Sequence, residues 1–206
     1  MAGIEEIERA ISQLVTTRNP TTPGPSASAA NFITLDDGFT AAATDGSTAV
    51  CGDFVRSSFS VVFNENSAYN HCALVPGRQS NFRAEVLGAA AAISVAQAVN
   101  IRRLRIFVDN RAAITTIEKA ISASEDDHHV ALIGRHADLE DTLRDIRLAV
   151  QHAGMKVELQ HVYSHRNLPS LPSVMNAWAD ASARQRLHQL TRELEAETQV
   201  CIGVEG

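Results

Sequence analysis

From about residue 38 the chain alternates with the period of two that a β-strand requires, and at residue 80 it switches to the period of a helix. Three extended stretches come first: FTAAATD, DFVRSSFSVVF and AYNHCALV. In the second, Phe59, Val61 and Phe63 alternate with Ser58 and Ser60, and Asn64-Glu65-Asn66 after it reads as a hairpin turn. SNFRAEVLGAAAAISVAQAVN then opens on a serine that can cap, is rich in helix formers and ends at Asn100. LRIFVD is a fourth strand, and residues 110–121 form a helix with Ile114, Ile117 and Ile121 aligned. Residues 130–152 form a longer helix with Leu139, Leu143, Ile146 and Val150 on one face, stopped by Gly154. MKVELQHVY alternates as a fifth strand, and after a proline-containing loop, RNLPSLPSV, NAWADASARQRLHQL is the last helix. The order βββαβααβα predicts an α/β fold with a mixed five-stranded sheet. Its first three strands form an antiparallel meander, and the later two are added in parallel through helices.

At 206 residues the chain suits one domain of about 150 residues with tails. Residues 1–37 hold an amphipathic helix over 4–15 (Ile4, Ile7, Ile11 and Leu14) and a Pro/Ser-rich linker, TTRNPTTPGPSASAAN. The domain is expected over 38–190, and 191–206 is a C-terminal tail. No run of 18 apolar residues and no secretory signal is visible, which excludes a membrane span and predicts an intracellular protein, cytoplasmic or nuclear. The three cysteines, Cys51, Cys72 and Cys201, have neither zinc nor disulfide spacing, which fits a reducing compartment. The net charge of −6 runs against nucleic-acid binding unless metal ions offset clustered acids or a neighbouring domain supplies affinity.

The informative acids are those at positions where solvated charge is a poor explanation. Asp45 ends the first strand within ATDGS, before Gly46, which permits close backbone approach. Asp109 directly follows the apolar run Ile106-Phe107-Val108, at the carboxyl end of a strand, where open α/β sheets place ligands. Glu85 lies one turn into the first long helix, and Asp180 lies in NAWAD, flanked by small residues. Taken singly, each also reads as a cap, a turn residue or an ion-pair partner. Several carboxylates converging from separate elements are what a pair of divalent cations needs, since two dications a few ångströms apart repel unless acids neutralise them.

The segments ATDGS, FRAEVLGAA, IFVDNRAAI, and HVYSH followed by NAWADASA resemble the ribonuclease H type 1 family, especially the form attached to retroelement reverse transcriptases. The resemblance spans roughly residues 38–190. It implies an RNase H-like fold and an endoribonuclease that hydrolyses the RNA strand of RNA–DNA hybrids, leaving 5′-phosphate and 3′-hydroxyl ends. It further implies two Mg²⁺ ions, with Mn²⁺ able to substitute, held by Asp45, Glu85, Asp109 and Asp180. In that scheme Asp45 bridges both ions, Glu85 and Asp109 serve one, and Asp180 completes the other. His165, on the loop before the last helix, assists proton transfer or product release, in keeping with the near-neutral pKa of histidine. Asn81, Asn176, Gly46 and Ser47 fall at substrate-contacting positions. The implied partners are the hybrid and an adjacent reverse-transcriptase domain, with the chain itself a monomer.

The chain also departs from the family pattern. Asp109 is followed by Asn-Arg rather than Ser, Ala177 stands where many relatives carry Glu, and the histidine loop is long, with Pro169 and Pro172. No basic, Trp-rich protrusion is present. The 130–152 helix is of mixed charge, His128-His129 reads as solvated, and Trp178 reads as core packing. Arg78, Arg83, Arg102, Arg103 and Arg105 are candidate phosphate contacts, with ordinary surface charge as the plainer reading. The alternative to an active nuclease is a catalytically weak or silent RNase H-like domain acting as a scaffold. A DDE-type integrase fits less well, because Glu85 lies in the first helix and Asp180 comes late.

Overall fold

A computed structural model describes residues 31–123, 137–163 and 170–203. The N-terminal amphipathic segment, most of the linker, His128-His129 and His165 lie outside the described residues. The strands are β1 (Ile33–Thr34), β2 (Thr40–Cys51), β3 (Phe54–Val62), β4 (His71–Leu74), β5 (Arg103–Val108) and β6 (Lys156–His161). The helices are α1 (Asn81–Ala98), α2 (Arg111–Ser122), α3 (Glu140–Ala153) and α4 (Leu171–Gly203). The sheet runs β4-β3-β2-β5-β6, with β1 added on β2. β1–β4 are antiparallel neighbours, and β5 and β6 join in parallel, which is the mixed α/β sheet that the order of elements predicts.

The sheet has six strands rather than five. The extra one, β1, is two residues long, too short to carry a periodic signal, and pairs Ile33 with Ala41 and Thr34 with Thr40. The tight turn lies between β2 and β3, not at Asn64-Glu65-Asn66. Cys51 pairs with Phe54 across a two-residue turn, and Gly52 takes φ 60° at its first position. Residues 63–70 are instead a longer loop tied by one side chain: Asn70 accepts from the Phe63 N–H at 2.9 Å and donates to the Asn64 carbonyl at 2.7 Å.

Helix ends follow local chemistry. Ser80 caps α1 by accepting from the Arg83 N–H, and Asn110 caps α2 by accepting from Ala112 and Ala113, at 3.1 Å in each case. Gly154 closes α3 in the left-handed region at φ 58°. α4 begins at Leu171-Pro172, five residues before the expected NAWAD start, because proline is tolerated in a helix's first turn. It continues to Gly203, beyond residue 190 where the tail was expected to begin.

Two cores flank the sheet. On one face α1, α2 and α3 bury Phe59, Val61, Phe63, Leu87, Ile93, Leu104, Ile106, Ile117, Leu143 and Ile146. Alanines along α1 (Ala84, Ala89, Ala91, Ala92 and Ala96) let that helix lie close to the strands. On the other face α4 packs Met175 and Ala179 on Ala41, Ala43, Val62 and Phe107, with Trp178 partly buried against them. Trp178 is thus a packing residue, as expected.

Candidate metal centre

The register of β2 and β5 brings the first two acids together. Ala43 is abreast of Phe107 in the parallel pair, so two residues further along Asp45 comes abreast of Asp109. Asp45 is not at the end of its strand: β2 continues six residues to Cys51, paired with β3 alone. Asp45 thus sits just beyond the last β2–β5 pair, where β2 is still backed by β3 and β4 but its other side is open. β5 does end at Val108, so Asp109 stands at its carboxyl end, directly before the α2 cap.

Gly46 brings in the third acid. A Cβ at this position would lie 2.6 Å from the Ala84 Cβ, 3.1 Å from the Asn81 carbonyl and 3.2 Å from the Glu85 nitrogen. Only glycine lets the first turn of α1 approach β2 so closely. The Gly46 N–H donates to Asp45 Oδ1 at 2.7 Å and to Glu85 Oε1 at 3.2 Å. One carboxylate oxygen from each of Asp45, Glu85 and Asp109 lies within 4.8 Å of the other two.

Asp180 arrives from the opposite face. Residues paired across β2 and β3 project to the same side, and Asp45 pairs with Ser60. Ser60 donates its hydroxyl to the Ala179 carbonyl at 2.6 Å, and Ser58 donates to the Ala183 carbonyl at 2.7 Å. Both serines are fully buried, and they fix α4 against β3 one residue from Asp180. Asp180 is near enough for its charge to act on Asp45, yet it is not one of the three converging acids. Its carboxylate is held instead by Arg184, whose Nε donates to Oδ1 at 2.7 Å and whose Nη2 contacts Oδ2.

This arrangement is costly without a cation. Burial, then the charges of Asp109 and Asp180, push the Asp45 carboxyl up to about 7. Burial, then Asp45 and Asp109, raise Glu85 well above the usual carboxylate range. Glu85 is fully buried, and its Oε2 has no hydrogen-bond partner among the described residues. A buried, unpartnered carboxylate oxygen beside two further acids fits a divalent cation, since hard cations take several oxygen ligands. The residues present therefore fit the metal that the sequence resemblance implies.

The other expected site residues are distributed around this centre. Asn81 is the exposed first residue of α1, with its backbone against Gly46. Ser47 follows on β2, half-buried and paired with Ser58. Asn176 is buried one helical turn before Asp180, and its Oδ1 lacks a partner among the described residues. Of the candidate phosphate arginines, Arg83 pairs with Asp138, Arg102 donates to the Ala153 carbonyl, Arg105 pairs with Asp37 and Glu158, and Arg103 covers the Phe39 ring. These four serve the protein's own surface.

Four contributors are not apparent from sequence motifs: Ser58, Ser60, Arg184 and His161. His161 Nε2 lies 3.1 Å from the Asp109 carbonyl, and its ring meets Tyr163 edge-on at 4.9 Å. The signal for the serines was present, as small polar residues on the strand face opposite Phe59 and Val61.

The fold and the site together define a ribonuclease H-like α/β architecture with a cluster of acids at the carboxyl end of its parallel strands. No family model and no curated protein matches the sequence. Solved structures do match. The solution structure of the prototype foamy virus RNase H domain superposes with a TM-score of 0.57 at 16% identity, covering 70% of this chain and 92% of that one. Native prototype foamy virus protease-reverse transcriptase matches with a TM-score of 0.57 at 17% identity, over 70% of this chain. The foamy viral protease-reverse transcriptase in complex with an RNA/DNA hybrid matches with a TM-score of 0.56 at 13% identity, over 72% of this chain. The chain spans about a fifth of the length of those two polypeptides. At such identities the likeness is one of fold, and it is the fold class that the order of elements predicts. No helix among the described residues is long and apolar enough to cross a membrane.

Proposed function

We propose that this chain is an endoribonuclease that hydrolyses the RNA strand of RNA–DNA hybrids with two divalent cations, Mg²⁺ by preference and Mn²⁺ as a substitute. The observation that carries the reading is the convergence of Asp45, Glu85 and Asp109, with the Glu85 Oε2 unpartnered among the described residues. Asp45 would serve both ions, Glu85 and Asp109 would hold one of them, and Asp180 would complete the second. Bound there, the cations make water a better nucleophile and offset charge on the attacking and leaving oxygens of the phosphodiester.

The chain's own groups do the rest. Gly46 orients Asp45 and Glu85 through a single N–H, which fixes two ligands at once. His161, against the Asp109 carbonyl, holds the peptide that carries the third. Gly46, Ser47, Asn81 and Asn176 contact the hybrid, whose RNA strand is distinguished by its 2′-hydroxyls. His165 moves a proton or releases product. The setting is a reverse transcriptase of a retroelement, in keeping with the fold shared with the foamy virus domain, and the adjoining domain supplies nucleic-acid affinity that a chain of net charge −6 needs. The chain acts inside the cell and as a monomer.

A hybrid-cleavage assay with Mg²⁺ and Mn²⁺, with duplex DNA as a second substrate and Asp109→Asn as control, tests this. The expected result is metal-dependent cleavage of the hybrid that Asp109→Asn abolishes while the fold stays intact. Cleavage that survives Asp109→Asn would sink the assignment. Complete silence with no metal binding would instead favour the scaffold reading.

A further inference from the structure

We propose that Arg184 is a built-in competitor for the second cation: it occupies the Asp180 carboxylate in the metal-free protein and makes the two ions bind in a fixed order. The inference rests on the two-cation reading above. The acids do not form one symmetrical cluster. Asp45, Glu85 and Asp109 converge, and the Glu85 Oε2 has no hydrogen-bond partner among the described residues. Asp180, on the other face, has both oxygens engaged by one guanidinium, Nε on Oδ1 at 2.7 Å and Nη2 on Oδ2.

A forked guanidinium on a carboxylate uses the same in-plane lone pairs that a cation would take. Arg184 lies one turn after Asp180 on α4, so no other element has to move to make or break the pair. The pair is half-exposed, with Arg184 at 51% and Asp180 at 27%, so solvent can take up the guanidinium when it is displaced. Arg184 is therefore a positioning residue. The triad ion binds first, independently of Arg184, and the Asp180 ion binds second, after the fork lets go.

The test is a calorimetric titration of the full chain with Mn²⁺, repeated with Mg²⁺, on wild type, Arg184→Gln, Arg184→Lys and Asp180→Asn. Circular dichroism melting accompanies each variant. Arg184 is surface-exposed, so its variants should fold. The expected wild-type result is a tight event followed by a weaker one. Arg184→Gln should leave the first unchanged and tighten the second about fivefold, the scale of a half-exposed ion pair. Arg184→Lys, which keeps the charge but loses the fork, should fall between. Asp180→Asn should erase the second event alone. Two events with the second unchanged or weakened in Arg184→Gln would overturn the proposal and leave the metal centre standing. No binding in any protein would overturn both.

Discussion

Ser60 and Ala179 are joined across the boundary between sheet and helix: the buried Ser60 hydroxyl donates to the Ala179 carbonyl at 2.6 Å. Ser60 is the antiparallel partner of Asp45, and Ala179 precedes Asp180, so one hydrogen bond couples the positions of acids from two elements. Ser58 to Ala183 repeats the bond one helical turn on. Together they fix both the distance and the rotation of α4 over β3.

Ser60→Ala should therefore affect the site more than the fold. A buried hydrogen bond contributes roughly 0.5–1.5 kcal/mol, and the Ala179 carbonyl keeps its helical position as an acceptor. We expect the urea midpoint to fall by an amount equivalent to about 1 kcal/mol, with the slope unchanged. Asp180-dependent cation binding should weaken, while binding at the triad persists. Loss of both together would mean that α4 had left the sheet rather than shifted on it.

The metal-free protein should lose stability as pH rises from about 4 to about 7. The Asp45 carboxyl is raised from 3.8 to about 7 on folding, so between those values the folded state holds a proton that the unfolded state has released. The unfolded state is favoured progressively across that window, and above it the penalty is constant, on the order of a few kcal/mol. Glu85 is raised as well and adds in the same direction. Cations that require ionised carboxylates should offset the penalty, so the melting shift produced by Mg²⁺ should grow from pH 5 to pH 8. Melting curves with and without Mg²⁺ at four pH values measure it, and a Mg²⁺ shift independent of pH would contradict the assignment.

The period of the chain made the architecture legible, because each element buries a face. Ile114 and Ile117 on α2, and Leu143, Ile146 and Val150 on α3, are buried as their spacing requires. Three of the acids were legible only as a set: singly each reads equally as a cap, a turn residue or an ion-pair partner, and their order on separate elements is what brought them to one place. Asp45's place within its strand was not legible. The STAVC segment beyond it pairs with β3 alone, and an exposed two-stranded ribbon leaves too weak a hydrophobic pattern to be read. The Arg184–Asp180 pair was hidden for the opposite reason: acids and arginines four apart are ordinary on helix surfaces, and only the fold reveals which acid lies beside the converging triad.

Glu85→Gln should raise the melting temperature of the metal-free protein while abolishing its response to Mg²⁺. The carboxylate is fully buried beside Asp45 and Asp109, with one oxygen unpartnered among the described residues. An amide keeps the oxygen that accepts from the Gly46 N–H, removes the charge, and adds donors toward the remaining acids. A gain on the order of 1 kcal/mol corresponds to roughly 2–4 °C for a chain of this size. Differential scanning calorimetry at pH 8 reads both effects. A variant that melts lower than wild type without metal would show that the cluster is not under electrostatic load.

Gly46→Ala should damage the site through geometry alone, since it changes no charge. The added methyl would meet the Ala84 Cβ at 2.6 Å, and the Asn81 carbonyl and Glu85 nitrogen at 3.1 and 3.2 Å, so α1 must move off β2. Overpacking of this kind costs about 1–3 kcal/mol. Ala84 and Glu85 are adjacent on α1, so the same movement carries Glu85 away from Asp45 and lengthens its contact with the Gly46 N–H. Cation binding at the triad should weaken at least tenfold in a protein that still folds. Ala84→Gly in the same chain should recover part of the stability, because it removes the methyl that is struck first. It should recover less of the cation affinity, because the Asn81 and Glu85 backbone atoms still press on the new Cβ. Equal recovery of both would place the whole effect at the Ala84 contact and deny Gly46 its part in positioning Glu85.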